Sequence, residues 1–373
     1  MKKIRVLHIL DELNTGGAEQ IVYTYFLNID KNKYQWDFVV MNIPDKPEGR
    51  LESKVKERGA VVYKVTKKKE SLRKNINEID KIIRHGRYDI VHSHLYEVSA
   101  FYLFSAWKYK VPVRIAHSHA AGERRGWRAD LLRLCLKPLL YCVTNGKAAC
   151  GKKAAISLWG HCSGVKIINN AINVDDFKYN EYFRSELRKE LLISESTTVI
   201  GTVGRMCYQK NSEFIIDIFY EYKKLNVNSK LLFIGEGENE ESVKKRVEKY
   251  NLNSDVIFLG RRNDVNKLMN IMDCFLLPSR YEGLPIVAIE AQCNGLSCFV
   301  SDSVTSEICL SNNVNMISIS KSASYWAENI FDFLKQNIFN RELGEKIVID
   351  AGYEIQSQTR LLLNYYESLL NKY

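Results

Sequence analysis

Glu282 and Glu290, separated by seven residues in the stretch SRYEGLPIVAIEA (279–291), are the side chains whose type and spacing most plainly allow chemistry. Pro285 suits a first helical position and Gly295 a position just past a helix end, so a helix is predicted over Pro285–Asn294. The start of a helix leaves backbone N–H groups unpaired at the positive end of aligned peptide dipoles, and that favours phosphate. Glu282 then falls in the loop before the helix, and Glu290 about one and a half turns into it. Carboxylates on either side of a bound diphosphate can accept hydrogen bonds from hydroxyls. A nucleotide-sugar presents that pattern, with sugar hydroxyls on one side and ribose hydroxyls on the other.

Further candidates sit where strand candidates end. In GRMCYQKN (204–211), Arg205 and Lys210 suit a diphosphate leaving group, the arginine as a fork and the lysine as a point charge. The same pair also reads as two exposed loop cations. In DELNTGGAEQ (11–20), Gly16-Gly17 precedes a helical pattern, either as a loop that lets backbone approach a ligand or as a plain tight turn. Gly235 and Gly237 in GEGE, and Gly260 in GRRNDV, mark close turns whose backbone could edge a base. Four histidines form two HSH pairs, His92 with His94 and His117 with His119. They invite a metal reading, but no paired carboxylate accompanies them and the spacing is not a usual zinc chelate, so no metal is expected. One of them is expected to donate a hydrogen bond to a ligand while the others are structural.

These residues need strands and helices to hold them. In the first half, strands are predicted at Ile4–Leu10, Trp36–Asn42, Val61–Val65, Asp89–Ser93, Val113–His117, Leu140–Thr144 and Val165–Ile168. Helical patterns between them cover Ala18–Leu27, Leu51–Arg58, Asn77–His85 and Ser99–Tyr109. The second half repeats the design. Its strands are predicted at Thr198–Val203, Lys230–Ile234, Val256–Leu259, Cys274–Leu277, Ser297–Val300 and Met316–Ile319, and its helices at Ser212–Leu225, Glu240–Tyr250, Asp264–Ile271 and Pro285–Asn294. The polar joint Asn169–Phe177 lies between the halves, and a last helix, Gln358–Leu370, carries Leu361, Tyr365 and Leu369 at helical spacing. Such alternation implies two doubly wound parallel sheets in series, with ligands in the cleft outside the carboxyl ends of the strands.

With 46% hydrophobic and 26% charged residues, the chain has an ordinary globular composition rather than a disordered one. No run of 18 apolar residues exists to span a bilayer, and MKKIRVLHIL reads as a first strand rather than a signal peptide. The nine cysteines show no CxxC spacing, so reduced, mostly buried thiols in a cytosolic protein are expected. Charge is uneven. Residues 1–180 hold 32 Lys+Arg against 18 Asp+Glu (+14), and the remainder 22 against 26 (−4). The basic half could meet a polyanion or an anionic membrane surface, or be merely well solvated. Segment 123–140, ERRGWRADLLRLCLKPLL, joins five cations to Trp127 and leucines. It reads either as a helix lying on an anionic membrane or as an ordinary amphipathic helix, with Pro138 limiting its length.

Together the motifs TGGAE (15–19), RIAHSHA (114–120), GRMCYQKN, IGEGE (234–238), FLGRRNDV (258–265) and SRYEGLPIVAIEA resemble family 4 retaining glycosyltransferases of the GT-B fold, in order along essentially the whole chain. Those that build bacterial capsular polysaccharide and exopolysaccharide are especially similar. The resemblance implies two Rossmann-like domains facing across a cleft, at 1–172 and 173–345, with a C-terminal helix of about 346–373 returning to the first. It implies that Glu282 meets the donor sugar, Glu290 binds the ribose, and Arg205 and Lys210 hold the diphosphate, with backbone amides of Gly283, Leu284 and the Gly16-Gly17 loop completing the cradle. Gly235 and Arg261 join the expected nucleotide contacts. A histidine approaches the donor sugar, His119 or, two residues away on the same face, His117. Asn145-Gly146 stands where relatives often carry a serine, which puts an acceptor contact there in doubt.

The expected activity is metal-independent, retaining transfer of a hexose from a nucleotide-sugar, UDP-linked, to a hydroxyl of a growing lipid-linked glycan. No cofactor and no nucleic-acid partner are expected, and the place of action would be the cytoplasm, in peripheral contact with the inner face of the plasma membrane. Two other readings stand beside it. One is a nucleotide-sugar epimerase of similar fold, and the other a basic nucleic-acid-binding module, which lacks a recognised motif.

Overall fold

The computed structural model describes residues 2–14, 17–41, 49–119, 127–336 and 340–373, and of 127–131 only the backbone. Two parallel sheets form. The first holds β1 (Ile4–Ile9), β2 (Tyr34–Met41), β3 (Val62–Val65), β4 (Ile90–Ser93), β5 (Val113–Ser118), β6 (Gly146–Ala149) and β7 (Lys166–Ile167), in the order β3-β2-β1-β4-β5-β6-β7. The second holds β8 (Thr198–Val203), β9 (Ser229–Ile234), β10 (Val256–Gly260), β11 (Cys274–Leu277), β12 (Ser297–Ser301) and β13 (Val314–Ile317), in the order β10-β9-β8-β11-β12-β13. Central strands such as β11 and β12 are buried at every residue, as parallel strands covered on both faces must be, and β11 reads as a continuous apolar run.

The chain divides into two units, Met1–Ala171 joined by Ile355–Tyr373, and Ile172–Glu354. The second crossing therefore falls nine residues later than the expected 345, for a packing reason. Helix Leu343–Asp350 lies against helix Ile286–Cys293 so closely that a side chain at Gly344 would come within 2.4 Å of the Gln292 carbonyl. The amide of Ile172 then donates to the Tyr353 carbonyl at 2.9 Å, closing the second unit.

Three local expectations are corrected. Leu140–Thr144 is not a strand: Leu136, Leu140 and Val143 are buried at helical spacing on helix Trp127–Val143, which runs through Pro138. The strand comes later, as β6, where a side chain at Gly146 would meet Ile115 and Leu369 at 2.7 and 2.8 Å. Asn145 thus stands at the amino end of a strand, away from the ligand-binding end. Its Oδ1 accepts from the Arg114 amide and its Nδ2 donates to the Pro112 carbonyl, both at 2.7 Å, so its role is structural. The last helix, Ile355–Leu370, buries Leu369 of the predicted stripe, but its other buried residues include Ile355, Thr359, Leu362 and Tyr366, one residue off the predicted Leu361 and Tyr365. The nine cysteines are unpaired; five are buried, but Cys135, Cys142 and Cys309 are exposed.

Candidate active site

In a doubly wound sheet, ligands gather at the carboxyl ends of the two strands between which the winding reverses. In the second unit those strands are β8 and β11. The loop after β8 runs Gly204 to Asn211, and the loop after β11 runs Pro278 to Pro285. They hold each other. The Arg280 amide donates to the Gln209 carbonyl at 2.8 Å, Asn211 Nδ2 donates to the Pro278 carbonyl at 3.2 Å, and the Arg280 guanidinium covers the Tyr208 ring.

Lys210 and Glu282 meet directly, with Nζ 2.6 Å from Oε1. Ser279 Oγ donates to the same oxygen at 3.0 Å, and Gln209 Nε2 donates to Oε2 at 3.3 Å. Glu282 is thus aimed by three donors. Neither Gln209 nor Ser279 was singled out from sequence, although each lies inside a motif that was. Met206 and Cys207 are buried, and the turn that buries them leaves Arg205 exposed, with no ion-pair partner among the described residues.

Glu290 lies on helix Ile286–Cys293, with Pro285 at the cap rather than in the first turn. Its carboxyl makes no hydrogen bond to a described residue, and burial pushes it up to about 7 although part of the side chain reaches the surface. A carboxyl so placed can accept from a diol once ionised.

The glycines fall into two kinds. A side chain at Gly235, where φ is +138°, would meet the Gly204 carbonyl oxygen at 1.9 Å, and one at Gly237 would meet that of Met206 at 2.3 Å. At those positions two protein backbones approach more closely than any side chain allows. A side chain at Gly283 or Gly17 would meet nothing within 4 Å. The expected contact Gly16 lies outside the described residues. Leu284 packs partly against the core of its unit, and the Arg261 amide donates to Glu236 Oε1 at 3.2 Å.

In the first unit, β1, β4 and β5 bring five histidines to one face. His92 and His94, like His117 and His119, share a face because alternate strand residues do. His8 pairs in register with His92, and its signal was hidden in the apolar run VLHIL. His8 Nδ1 lies 3.0 Å from His94 Nε2, and His94 Nδ1 lies 2.7 Å from His119 Nε2. His92 Nε2 lies 3.2 Å from His117 Nδ1, and His92 Nδ1 lies 2.7 Å from the Tyr366 hydroxyl. Burial lowers His8 to about 3 and His119 to about 4, and lowers the other three well below the usual range, helped by neighbouring imidazoles. All five are therefore neutral near pH 7.

Two triads, His8–His92–His94 and His94–His117–His119, bring ring nitrogens within 4.8 Å of one another, a density the HSH spacing did not foretell. Neutral imidazoles are the form that ligates a metal. The short N···N distances, however, already engage most of these nitrogens with each other, and no carboxylate belongs to either triad among the described residues.

Two Rossmann-like units with parallel sheets define an α/β architecture of the GT-B type. A crystal structure of Anabaena HepE in complex with UDP matches with TM-score 0.81, at 15% identity over 98% of this chain and all of that one. The family model for glycosyltransferase family 4 matches residues 15–175, and that for glycosyl transferases group 1 matches 183–348. The putative glycosyltransferase EpsF of Bacillus subtilis (strain 168) is 30% identical, covering 97% of this chain and 96% of its own. The Escherichia coli UDP-Gal:alpha-D-GlcNAc-diphosphoundecaprenol alpha-1,3-galactosyltransferase is 26% identical over 64% of each chain. The chain belongs to the family 4 glycosyltransferases of GT-B fold.

Proposed function

We propose that this glycosyltransferase moves a hexose from a UDP-sugar, with retention of configuration and without a metal ion, to a hydroxyl of a lipid-linked surface glycan. The observation that carries the donor reading is the set at the ends of β8 and β11: an exposed Arg205 and a Glu290 carboxyl, neither with a partner among the described residues, and a Lys210–Glu282 pair. In this reading Glu290 accepts from ribose hydroxyls, Arg205 and Lys210 hold the diphosphate, and Glu282 faces the sugar. When the bond from the sugar's anomeric carbon to phosphate oxygen breaks, negative charge grows on the diphosphate. The two cations stabilise that charge, which is the role a divalent ion fills elsewhere. The UDP of HepE and the diphosphoundecaprenol acceptor named for the E. coli relative support the same reading.

Supporting contact with a membrane are Leu132 and Leu134 on helix Trp127–Val143 and Phe104 and Trp107 on the helix Ser99–Lys108 packed against it, all exposed in the more basic half. Arg124 and Arg125 of the expected membrane segment lie outside the described residues. No helix among the described residues is long and apolar enough to cross a membrane. The reading places the enzyme at the cytoplasmic face. Flotation with anionic vesicles should carry the protein and should fail with Leu132→Ser/Leu134→Ser.

The donor reading is tested by thermal stabilisation with a panel of nucleotide-sugars. A UDP-sugar should stabilise the protein most, and Glu290→Ala and Arg205→Ala should each remove most of the shift. If both variants keep it, the donor site is elsewhere.

A further inference from the structure

A cavity of about 370 Å³ in the first unit is lined by Asp11, Glu12, Met41, Lys67, Lys68 and Lys69. Strand order brings them together: Asp11 and Glu12 follow β1, Met41 ends β2, and the three lysines follow β3. Loops after adjacent parallel strands lie at one edge of a sheet, the edge where ligands bind.

The walls are fixed. The Met41 amide donates to the Asp11 carbonyl at 2.9 Å, which ties the loop after β1 to the end of β2. Beyond β3, Glu78 of helix Leu72–Gly86 accepts from the Thr66 amide at 2.6 Å and from its hydroxyl at 3.1 Å. Buried Asn75 of the same helix donates to the Thr66 carbonyl and to Met41 Sδ, and accepts from the Tyr102 hydroxyl at 2.8 Å. The amides of Glu70 and Ser71 close the lysine turn by donating to the Lys67 carbonyl, both at 3.1 Å. A scaffold so held presents its side chains to a ligand at little cost in ordering.

The charges on these walls are mixed. Lys68 is half-buried and paired, its Nζ 2.7 Å from Asp11 Oδ1. Lys67 is half-buried as well, yet its ammonium has no ion-pair partner among the described residues, and Lys69 is exposed. A cation drawn partly out of water calls for an anion, and lysine serves phosphate as a point charge. Carboxylates beside it repel a bare anion but accept from hydroxyls. The combination fits a ligand with phosphate at one end and hydroxyls at the other. A volume of about 370 Å³ is at the small end of ligand cavities, which suits one sugar ring with its phosphate rather than a longer glycan.

We propose that this cavity binds a sugar through its phosphate or diphosphate, with Lys67 and Lys69 on the phosphate and Asp11 and Glu12 on the hydroxyls. The head of a diphosphate-linked glycan has that chemistry, and so has a free sugar phosphate. The site lies wholly within the first unit, and its binding does not rest on where the donor sits.

The test is calorimetry of the full chain carrying Arg205→Ala and Glu290→Ala, so that the donor set of the second unit is silent. Glucose 1-phosphate should bind about tenfold more tightly than glucose or inorganic phosphate. Lys67→Ala should weaken it about tenfold at unchanged melting temperature, and Lys69→Ala less, about threefold. The second probe is a hexose on a polyprenyl diphosphate in phosphatidylcholine vesicles, with empty vesicles as the blank. Tighter binding than that of glucose 1-phosphate, again weakened by Lys67→Ala, assigns the site to a lipid-linked glycan; weaker binding assigns it to a free sugar phosphate. The proposal is overturned if neither probe binds, if Lys67→Ala binds both as its parent does, or if glucose or inorganic phosphate binds as tightly as glucose 1-phosphate. In the otherwise unsubstituted chain, Lys67→Ala should keep the thermal shift given by a UDP-sugar. Loss of that shift would mean that the donor sits here, and the donor reading and this one would fail together.

Discussion

Toward the carboxyl ends of its central strands the first unit carries His8, His92, His94, His117 and His119, while the second carries Arg205, Lys210 and Glu282 after its own. Both sheets wind the same way, from β1 outward to β2 and β4, and from β8 outward to β9 and β11. The difference lies in what each face can bury. Neutral rings can be stacked inside a core because each hydrogen bond satisfies two of them. Unpaired ions cost several kcal/mol to bury, so Arg205 stays exposed and Lys210 goes partly inside only with Glu282. One unit buries neutral rings, the other keeps its ions exposed or paired.

That contrast breaks most visibly at Arg205. Arg205→Ala should lower kcat by about 10²–10³ with unchanged melting temperature, since the side chain is exposed and has no ion-pair partner among the described residues. Steady-state kinetics beside thermal melts would show it. A loss under about fivefold would mean that charge is not the second unit's contribution.

The two kinds of glycine come next. Gly235→Ala should destabilise the second unit by about 3 kcal/mol, because the added carbon falls 1.9 Å from a backbone oxygen at a φ of +138°. Gly283→Ala should leave stability within about 0.5 kcal/mol and weaken donor binding instead. Denaturant midpoints and calorimetric donor titration separate the two.

Acid should then divide the units. Folded His8 titrates at about 3 and folded His119 at about 4, against 6.5 for a free ring. Their contribution is present above 6.5 and is lost as pH falls, by about 2 kcal/mol for each at about pH 5. Glu290 runs the other way: it keeps its proton up to about 7 in the fold against 4.5 when free, so its penalty grows as pH rises between those values. Hydrogen exchange at about pH 5 should therefore show β1, β4 and β5 opening before β8 and β11. Simultaneous opening would refute the contrast.

The smallest effect concerns Glu282. Its carboxylate sits on Lys210, so Glu282→Ala should tighten binding of free UDP, by about 1 kcal/mol or fivefold, while turnover falls. Calorimetry with UDP alone would find weaker binding if Glu282 served the nucleotide rather than the sugar.

Much of the fold was legible in the chain. Strand runs such as Cys274–Leu277 and helices such as Ser212–Leu225 fall where alternation and periodicity place them, because short apolar runs and amphipathic stretches follow from local sequence. Leu140–Thr144 misled because a short apolar run looks alike on a strand and on a buried helix face. Of the candidate site, Arg205, Lys210, Glu282 and Glu290 were visible from their places after strands and at a helix start. His8 and Tyr366 were not, since a polar ring within an apolar run carries no mark of its partners.

Sequence alone determined the two-unit βα plan and the charged residues that end up beside one switch point, because loops after parallel strands must lie at one edge of a sheet. Tertiary structure alone decided that Lys210 pairs with Glu282, that the backbone at Gly235 packs against that of Gly204, and that residues 117 and 366 stand two hydrogen bonds apart. Those facts depend on distances between segments far apart in the chain, set by how side chains fill a shared core, and no local pattern encodes such distances.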